Sequence, residues 1–420
     1  MTEEAKKRLA EKEARYSAAV ELREPDRVPM DINGNIFAVK DAGYTVGECI
    51  YDTTLEKYKD AATKFMLKYD PDTAMVAFDL GGEGPALDLL QPKFIDWAGR
   101  PGTKIDINSM KQFLEFPVLL DDEFDEFFDD RLSWQTRKSM PRLSKLAEPL
   151  EKFDLPLSHE GNLRGFVEAY STPAMRDMIE KCWKISDFYK ELDKQKKKIA
   201  GELLELGFPY PQVARAAVAF DEYSDTLRGT ICSLTDLFEN EESVQRFIDE
   251  AHPKMIARIK SLNKDGSLNG KCVGFALHKG LDGFMSDEYY EKYYWRYLKE
   301  LIETIISVGM TPYVFAEGKY ITRLHHLKDV PKGKVIYKFE DTPMDLAKKE
   351  LGDVACITGG FPNSLLFHGT PEQVKDECKR MLDACAPGGG FIFQTKSSLT
   401  MAKRENVEAM FETVHEYGKY

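Results

Sequence analysis

The sequence predicts an α/β protein closed as a (β/α)8 TIM barrel, one domain over residues 1–420 with a helical extension at 1–24 and an insertion at about 81–153. Two observations carry this. Eight short apolar runs punctuate the chain, and from about residue 270 onward they alternate with segments whose apolar residues recur at helical spacing. Strands that are apolar along their whole length belong to parallel sheets covered on both faces. An open doubly wound sheet is the other arrangement the pattern permits; eight strands with helices between them favour closure.

Taken in order, MTEEAKKRLAEKEARY is charged and helix-forming and precedes the barrel. RVPMDIN (27–33), TAMVAFDL (73–80) and LPLSHEGN (155–162) read as the first three strands. The stretch 81–153 is too long for a simple crossover, and its run DDEFDEFFDDRLSW points to short helices and a hairpin of its own. Five strands follow at CVGFALH (272–278), TPYVFAE (311–317), KVIYKFED (334–341), DVACITGG (353–360) and GGFIFQTK (389–396). Tyr289, Tyr290, Tyr293, Tyr294 and Trp295 fall at helical spacing, which favours core packing; Tyr290 is the one nominated to touch a ligand. No internal repeat or low-complexity linker divides the chain.

Composition narrows the function. The 420 residues carry a formal charge of −13, and no basic stripe with interleaved aromatics appears, so nucleic acid is not the expected partner. No apolar run is long enough to span a bilayer and the N-terminus lacks the apolar core of a secretory signal, which points to a cytoplasmic protein without a membrane partner. Seven cysteines without a CxxC pair fit reduced thiols rather than a disulfide framework or a structural zinc site. Gly81-Gly82 and the triple glycine at 388–390 lack the spacing of phosphate loops and read as tight turns.

In barrels of this kind the chemistry sits where the strands end. That rule nominates Asn33, Asp79, His159, Glu160, His278, Glu317, Glu340, Asp341, Cys356, Gln394 and Lys396. Cys356 is more simply a small buried hydrophobe, and Asp79 a turn residue before the glycines. The adjacent His325 and His326 read as surface, since neighbouring side chains on a helix diverge.

Several segments carry a resemblance. ITGGFPNSLLFHGTPEQVKDECKRMLDACAPGGGFIFQTKSSLTMAKRENVEAM resembles the end of the uroporphyrinogen decarboxylase superfamily, through Gly359–Ser364, Gly369–Val374, Gly388–Phe393 and Arg404–Val407. REPDRVPMDI (23–32) resembles its first strand, and Asp79 in AFDLGG matches the position of the decarboxylase aspartate. The departures matter more. Where decarboxylases of that superfamily have an arginine-rich first loop, this chain reads NGNIFAVKDAGY, and its last loop, QTKSSL, has no histidine. A substrate with many carboxylates needs cationic, preferably bidentate partners. In the cobamide-dependent methyltransferases that act on thiols, a His-x-Cys and a late Cys hold zinc; here those places read Phe315-Ala-Glu317 and, roughly, Lys396.

What remains resembles the branch that takes methyl groups from aryl methyl ethers. The resemblance implies O-demethylation of a small methoxylated substrate, with the methyl passing to the Co(I) of a separate small corrinoid (cobalamin) protein, because no DxHxxG is present in this chain. A decarboxylase or other lyase, and a non-catalytic tetrapyrrole or corrinoid binder, are the alternatives; the superfamily's habit of pairing leaves a homodimer open. Glu317, His278, Lys396 and Asp79 are the catalytic candidates, since an aryloxide needs a proton or a Lewis acid as it departs. His159, Glu160, Asn33, Tyr290 and Arg323 are the substrate-binding candidates, and His278 with Glu317 is the candidate zinc pair.

Overall fold

The computed structural model describes residues 1–75, 79–155 and 163–420. A small antiparallel pairing, β1 (Ile95–Asp96) with β2 (Gln112–Phe113), lies in the insertion, as the sequence suggests. Six parallel strands then follow one another in order: β3 (Gln212–Arg215), β4 (Cys272–Leu277), β5 (Thr311–Ala316), β6 (Ile336–Phe339), β7 (Cys356–Phe361) and β8 (Phe391–Thr395). Strands β4 to β8 fall on the five apolar runs read from the sequence, β7 passing the end of its run by one residue. Helices between them, such as Arg296–Ser307 and Pro371–Cys385, cover the outer face.

Two extended segments complete the ring. Phe393 N–H donates to the Pro29 carbonyl (2.8 Å) and Asp31 N–H to the Phe393 carbonyl (3.1 Å), so residues 29–31 run parallel to β8. Asp72 N–H then donates to Met30 O (2.8 Å) and Ala74 N–H to Pro209 O (2.8 Å), which ties 72–74 between the first segment and the start of β3. Six strands and two segments give the eight staves of the expected barrel.

The third stave is a correction. It was expected at 155–162, of which 156–162 lie outside the described residues; the place beside β4 is held by β3 instead. Gln212–Arg215 reads QVAR and is largely exposed, because its inner face borders an open cavity rather than packed side chains. That removes the continuous apolar run by which the other strands are recognised. The crossover from the second stave therefore holds the insertion and a 32-residue helix, Pro173–Leu204, which packs through Leu192, Ile199 and Leu203.

The N-terminal helix, Glu3–Val20, is no mere extension. Its Tyr16, Ala19 and Val20 pack against Cys272, Tyr313, Ile336, Cys356 and Ile392, the inward side chains at the bottom of five strands. Below them a buried charge knot fixes the helix. Asp72, fully buried, accepts from Arg27 (2.7 and 3.0 Å), from Arg15 and from Met30 N–H (2.7 Å), while Lys12 donates to Pro71 O (2.6 Å). The helix thus forms the floor of the barrel. Among the described residues, no helix is long and apolar enough to cross a membrane.

Candidate active site at the barrel mouth

Above that floor the barrel is hollow. A cavity of about 610 Å³ opens at the strand ends and descends to Tyr16. It exists because above Cys272 β4 contributes only Gly274 and Ala276 to the inner face, beside Tyr313 and Phe315 of β5. Tyr313 donates to the Gln394 amide oxygen (2.8 Å), which fixes both side chains at depth.

The ionic part of the site gathers at the end of β4. His278 Nδ1 is hydrogen-bonded to the Asp225 carboxylate, and His278 Nε2 faces Glu317 Oε2 at 3.5 Å. Lys279 also reaches Asp225 (3.0 Å). Beneath them Asp221, nearly fully buried, accepts from His278 N–H (3.2 Å), Lys279 N–H (2.9 Å) and the Tyr294 hydroxyl. Three donors and no direct cation hold it, so burial raises its pKa to about 6. Hydrogen bonding to Asp225, with the charges of Asp225, Asp221 and Glu317, raises the His278 pKa against the opposing effect of burial. Asp225 is held low by His278 and Lys279 in spite of its own burial. The result is an oriented imidazole, biased toward imidazolium, at the lip of a deep cavity.

Of the residues nominated from sequence, His278 and Asn33 line this cavity, and Glu317 stands beside His278. Gln394 lines it as well. The others lie elsewhere. Lys396 is paired with Asp341 (2.7 Å) and Asp79 with Lys111 (3.2 Å), all on partly exposed loops outside the lining. Tyr290 is fully buried in the core, and Arg323 lies across its ring while bonding Asp287 and the Met285 carbonyl, so neither faces the cavity. Cys356 is buried at the floor, not the mouth. His159 and Glu160 lie outside the described residues.

Asp221, Asp225 and Lys338 were not anticipated. The two aspartates follow β3, so the misplaced third strand hid them. Lys338 was legible: a lysine in the middle of KVIYKFED is a charge inside an otherwise apolar strand, and only interior strand positions with a function or a partner tolerate one.

Metal-binding capacity divides between two places. His278 Nε2 and Glu317 Oε2 are spaced about as two ligands of one tetrahedral zinc would be, and Asp225 on Nδ1 is the outer carboxylate such histidines use. They supply two donors. Among the described residues, three donors converge at Asp287, His325 and His326, outside the barrel. The reading of the two histidines as diverging surface residues does not hold for their tips: His326 Nε2 lies 3.1 Å and His325 Nε2 3.8 Å from Asp287. Arg323 already neutralises that aspartate.

Comparison with known proteins places this geometry in context. Residues 225–417 match the family model described as uroporphyrinogen decarboxylase (URO-D). A uroporphyrinogen decarboxylase of Neisseria gonorrhoeae (strain NCCP11945) is 31% identical over 74 residues, 17% of this chain and 21% of the relative. One from Azoarcus sp. (strain BH72) is 26% identical over 144 residues, 33% of this chain and 39% of the relative. The chain thus spans between about a fifth and two fifths of the length of these curated relatives. Among solved structures, a methyltransferase from Methanosarcina mazei superposes with a TM-score of 0.56 at 14% identity, covering 97% of this chain and 98% of that one. At that identity the likeness is one of fold.

Proposed function

On a chain whose residues 225–417 match the uroporphyrinogen decarboxylase family model, we propose that the mouth cavity demethylates a small methoxylated, aromatic ether, with a separate corrinoid protein as methyl acceptor. The observation that carries this reading is His278, which lines the cavity with its Nδ1 fixed by Asp225 and its Nε2 facing Glu317 Oε2 at 3.5 Å. The partner's corrinoid supplies a Co(I) nucleophile that takes up the methyl group. The task left to this chain is to hold the ether and to release its oxygen.

An aryloxide with a conjugate acid near pKa 10 leaves poorly unless it is protonated as the C–O bond breaks. The electron pair of that bond stays on oxygen, and His278 donates its Nε2 proton to it. Asp225 keeps the imidazole protonated and oriented. Glu317, half-exposed, links the same nitrogen to solvent for reprotonation. Met110, Phe113, Ile231 and Met401 are exposed apolar side chains that suit a docking partner. Their segments are joined by Thr230 on Glu115 and Thr400 on Met110.

Were a zinc bound, His278 Nε2 and Glu317 Oε2 are the atoms that would hold it, and it would supply Lewis acidity toward the ether oxygen. The decarboxylase alternative fits the lining less well. Asp31, Asp221, Glu222 and Asp225 face the cavity against Arg215 and Lys338, a poor reception for a substrate with many carboxylates.

The test mixes the protein with a reduced corrinoid protein and a methoxylated aromatic, following the absorbance change of corrinoid methylation. H278Q is expected to slow it by about 10²–10⁴-fold. Because the His278 pKa is raised, the acid form persists below that value and the rate falls as pH rises through it; D225N moves this alkaline limb to lower pH. Wild-type turnover by H278Q would overturn the assignment, and CO2 release without any corrinoid would favour the lyase.

A further inference from the structure

Among the charged groups of the cavity that the chemistry above leaves without a task, Lys338 is the buried cation. Lys338 sits in mid-strand on β6, in register with Phe315 of β5 and Thr358 of β7, and lines the same cavity. Among the described residues its ammonium makes no hydrogen bond and no ion pair; it lies over the Phe315 ring, 4.7 Å from the centroid. The carboxylates nearby are committed elsewhere: Asp225 to His278 and Lys279, Asp221 to two backbone amides and Tyr294, Asp31 to the Thr73 hydroxyl at 2.7 Å. Burial lowers the Lys338 pKa, opposed by the more distant charges of Asp31, Glu340 and Glu317. An ammonium set inside a barrel without its own counter-charge is costly to the fold. A bound anion removes that cost.

The register sets the geometry of such a ligand. Lys338 pairs with Phe315 and, through it, with Ala276, which lies two residues before His278 on β4. Lys338 is therefore one inward-facing step below His278, roughly 7 Å along the strands, and two strands away. A benzoate-sized ring lying against Phe315 covers much of that offset. We infer that Lys338 anchors the carboxylate of a flat organic acid and so selects anionic over neutral ligands. On the methyl-transfer reading, on which this class assignment rests, the substrate is a methoxylated aromatic acid held carboxylate-down with its ether toward His278. Arg215, the other cation in the lining, lies on β3, whose side chains are largely exposed, and the selection is assigned to the buried Lys338 rather than to it.

The experiment is calorimetric titration of the full chain, without corrinoid, with 4-methoxybenzoate and with its neutral counterpart 4-methoxybenzamide. Wild type is expected to bind the acid about 10- to 100-fold more tightly, the range of one charge-assisted hydrogen bond. K338M is expected to erase the preference while R215M keeps it. Equal affinity of wild type for acid and amide, no saturable binding of the acid, or loss of the preference in R215M rather than K338M would each overturn the inference. The wild-type comparison stands even where a variant misfolds. Binding needs no methyl acceptor, so failure of the corrinoid assay and failure of this titration are separate results.

Discussion

Asp72 and Asp221 are both shut away from solvent, at 0% and 2% exposure, yet they sit at opposite ends of the barrel and have opposite protonation preferences. Around Asp72, Arg27, Lys12 and Arg15 outweigh burial and hold the carboxylate below its ordinary pKa. Around Asp221 there are two backbone amides and a phenol, and burial prevails. The floor is thus neutralised within the protein, as a structural joint is. The mouth is left with charges only partly answered, which is where ligands and protons find work.

The contrast can be broken or sharpened by substitution. The largest effect is expected from D72A, which removes the buried counter-charge that Arg27, Arg15 and Lys12 share and leaves Arg15 with Asp26 and Lys12 with Asp70: a loss of about 3–5 kcal/mol in unfolding free energy, read from urea melts. A loss below about 1 kcal/mol would mean the knot is not what holds the floor. D221N comes next and depends on pH. The folded pKa of Asp221 stands above its ordinary 3.8, so its contribution to stability is intact below about pH 4 and is lost as pH rises through about 6. Relative to wild type, D221N should therefore gain roughly 2–3 kcal/mol between pH 4 and pH 8. A difference that does not change with pH would place a counter-charge beside Asp221 and end the contrast. Y16F is smaller. Among the described residues the buried Tyr16 hydroxyl has no hydrogen-bond partner, so its removal should leave stability unchanged or raise it by up to about 1 kcal/mol. K396A, which breaks an exposed pair with Asp341, should cost no more than about 0.5 kcal/mol and leave ligand binding unchanged.

How much of this was legible beforehand follows the same division. Strands β4 to β8 are largely buried on both faces, so each announces itself as a mainly apolar run, interrupted in β6 by Lys338, and the strand-end rule then found His278 and Glu317. β3 borders the cavity and spends its residues on Gln212 and Arg215, so the pattern that reveals the other strands is absent there. Asp221 and Asp225 were missed with it. Lys396 and Asp79 satisfied the strand-end rule equally well, but a strand end has two sides, and only coordinates tell the rim from the lining. Tyr290 and Arg323 were nominated for their chemistry; both are absorbed in packing behind Asp287. The role of the N-terminal helix was beyond reach of local pattern, since its amphipathic face does not name what it will meet.

Tyr16 borders two hollows at once, the mouth cavity and a second one of about 460 Å³ under the barrel. Thr73 and Pro211 border both hollows too, so the stop at the end of the ligand well is completed by a ring borrowed from a helix that belongs to none of the eight staves. Well depth and rim chemistry are separately adjustable: a shorter residue at position 16 would admit a longer guest without altering any group that acts on it.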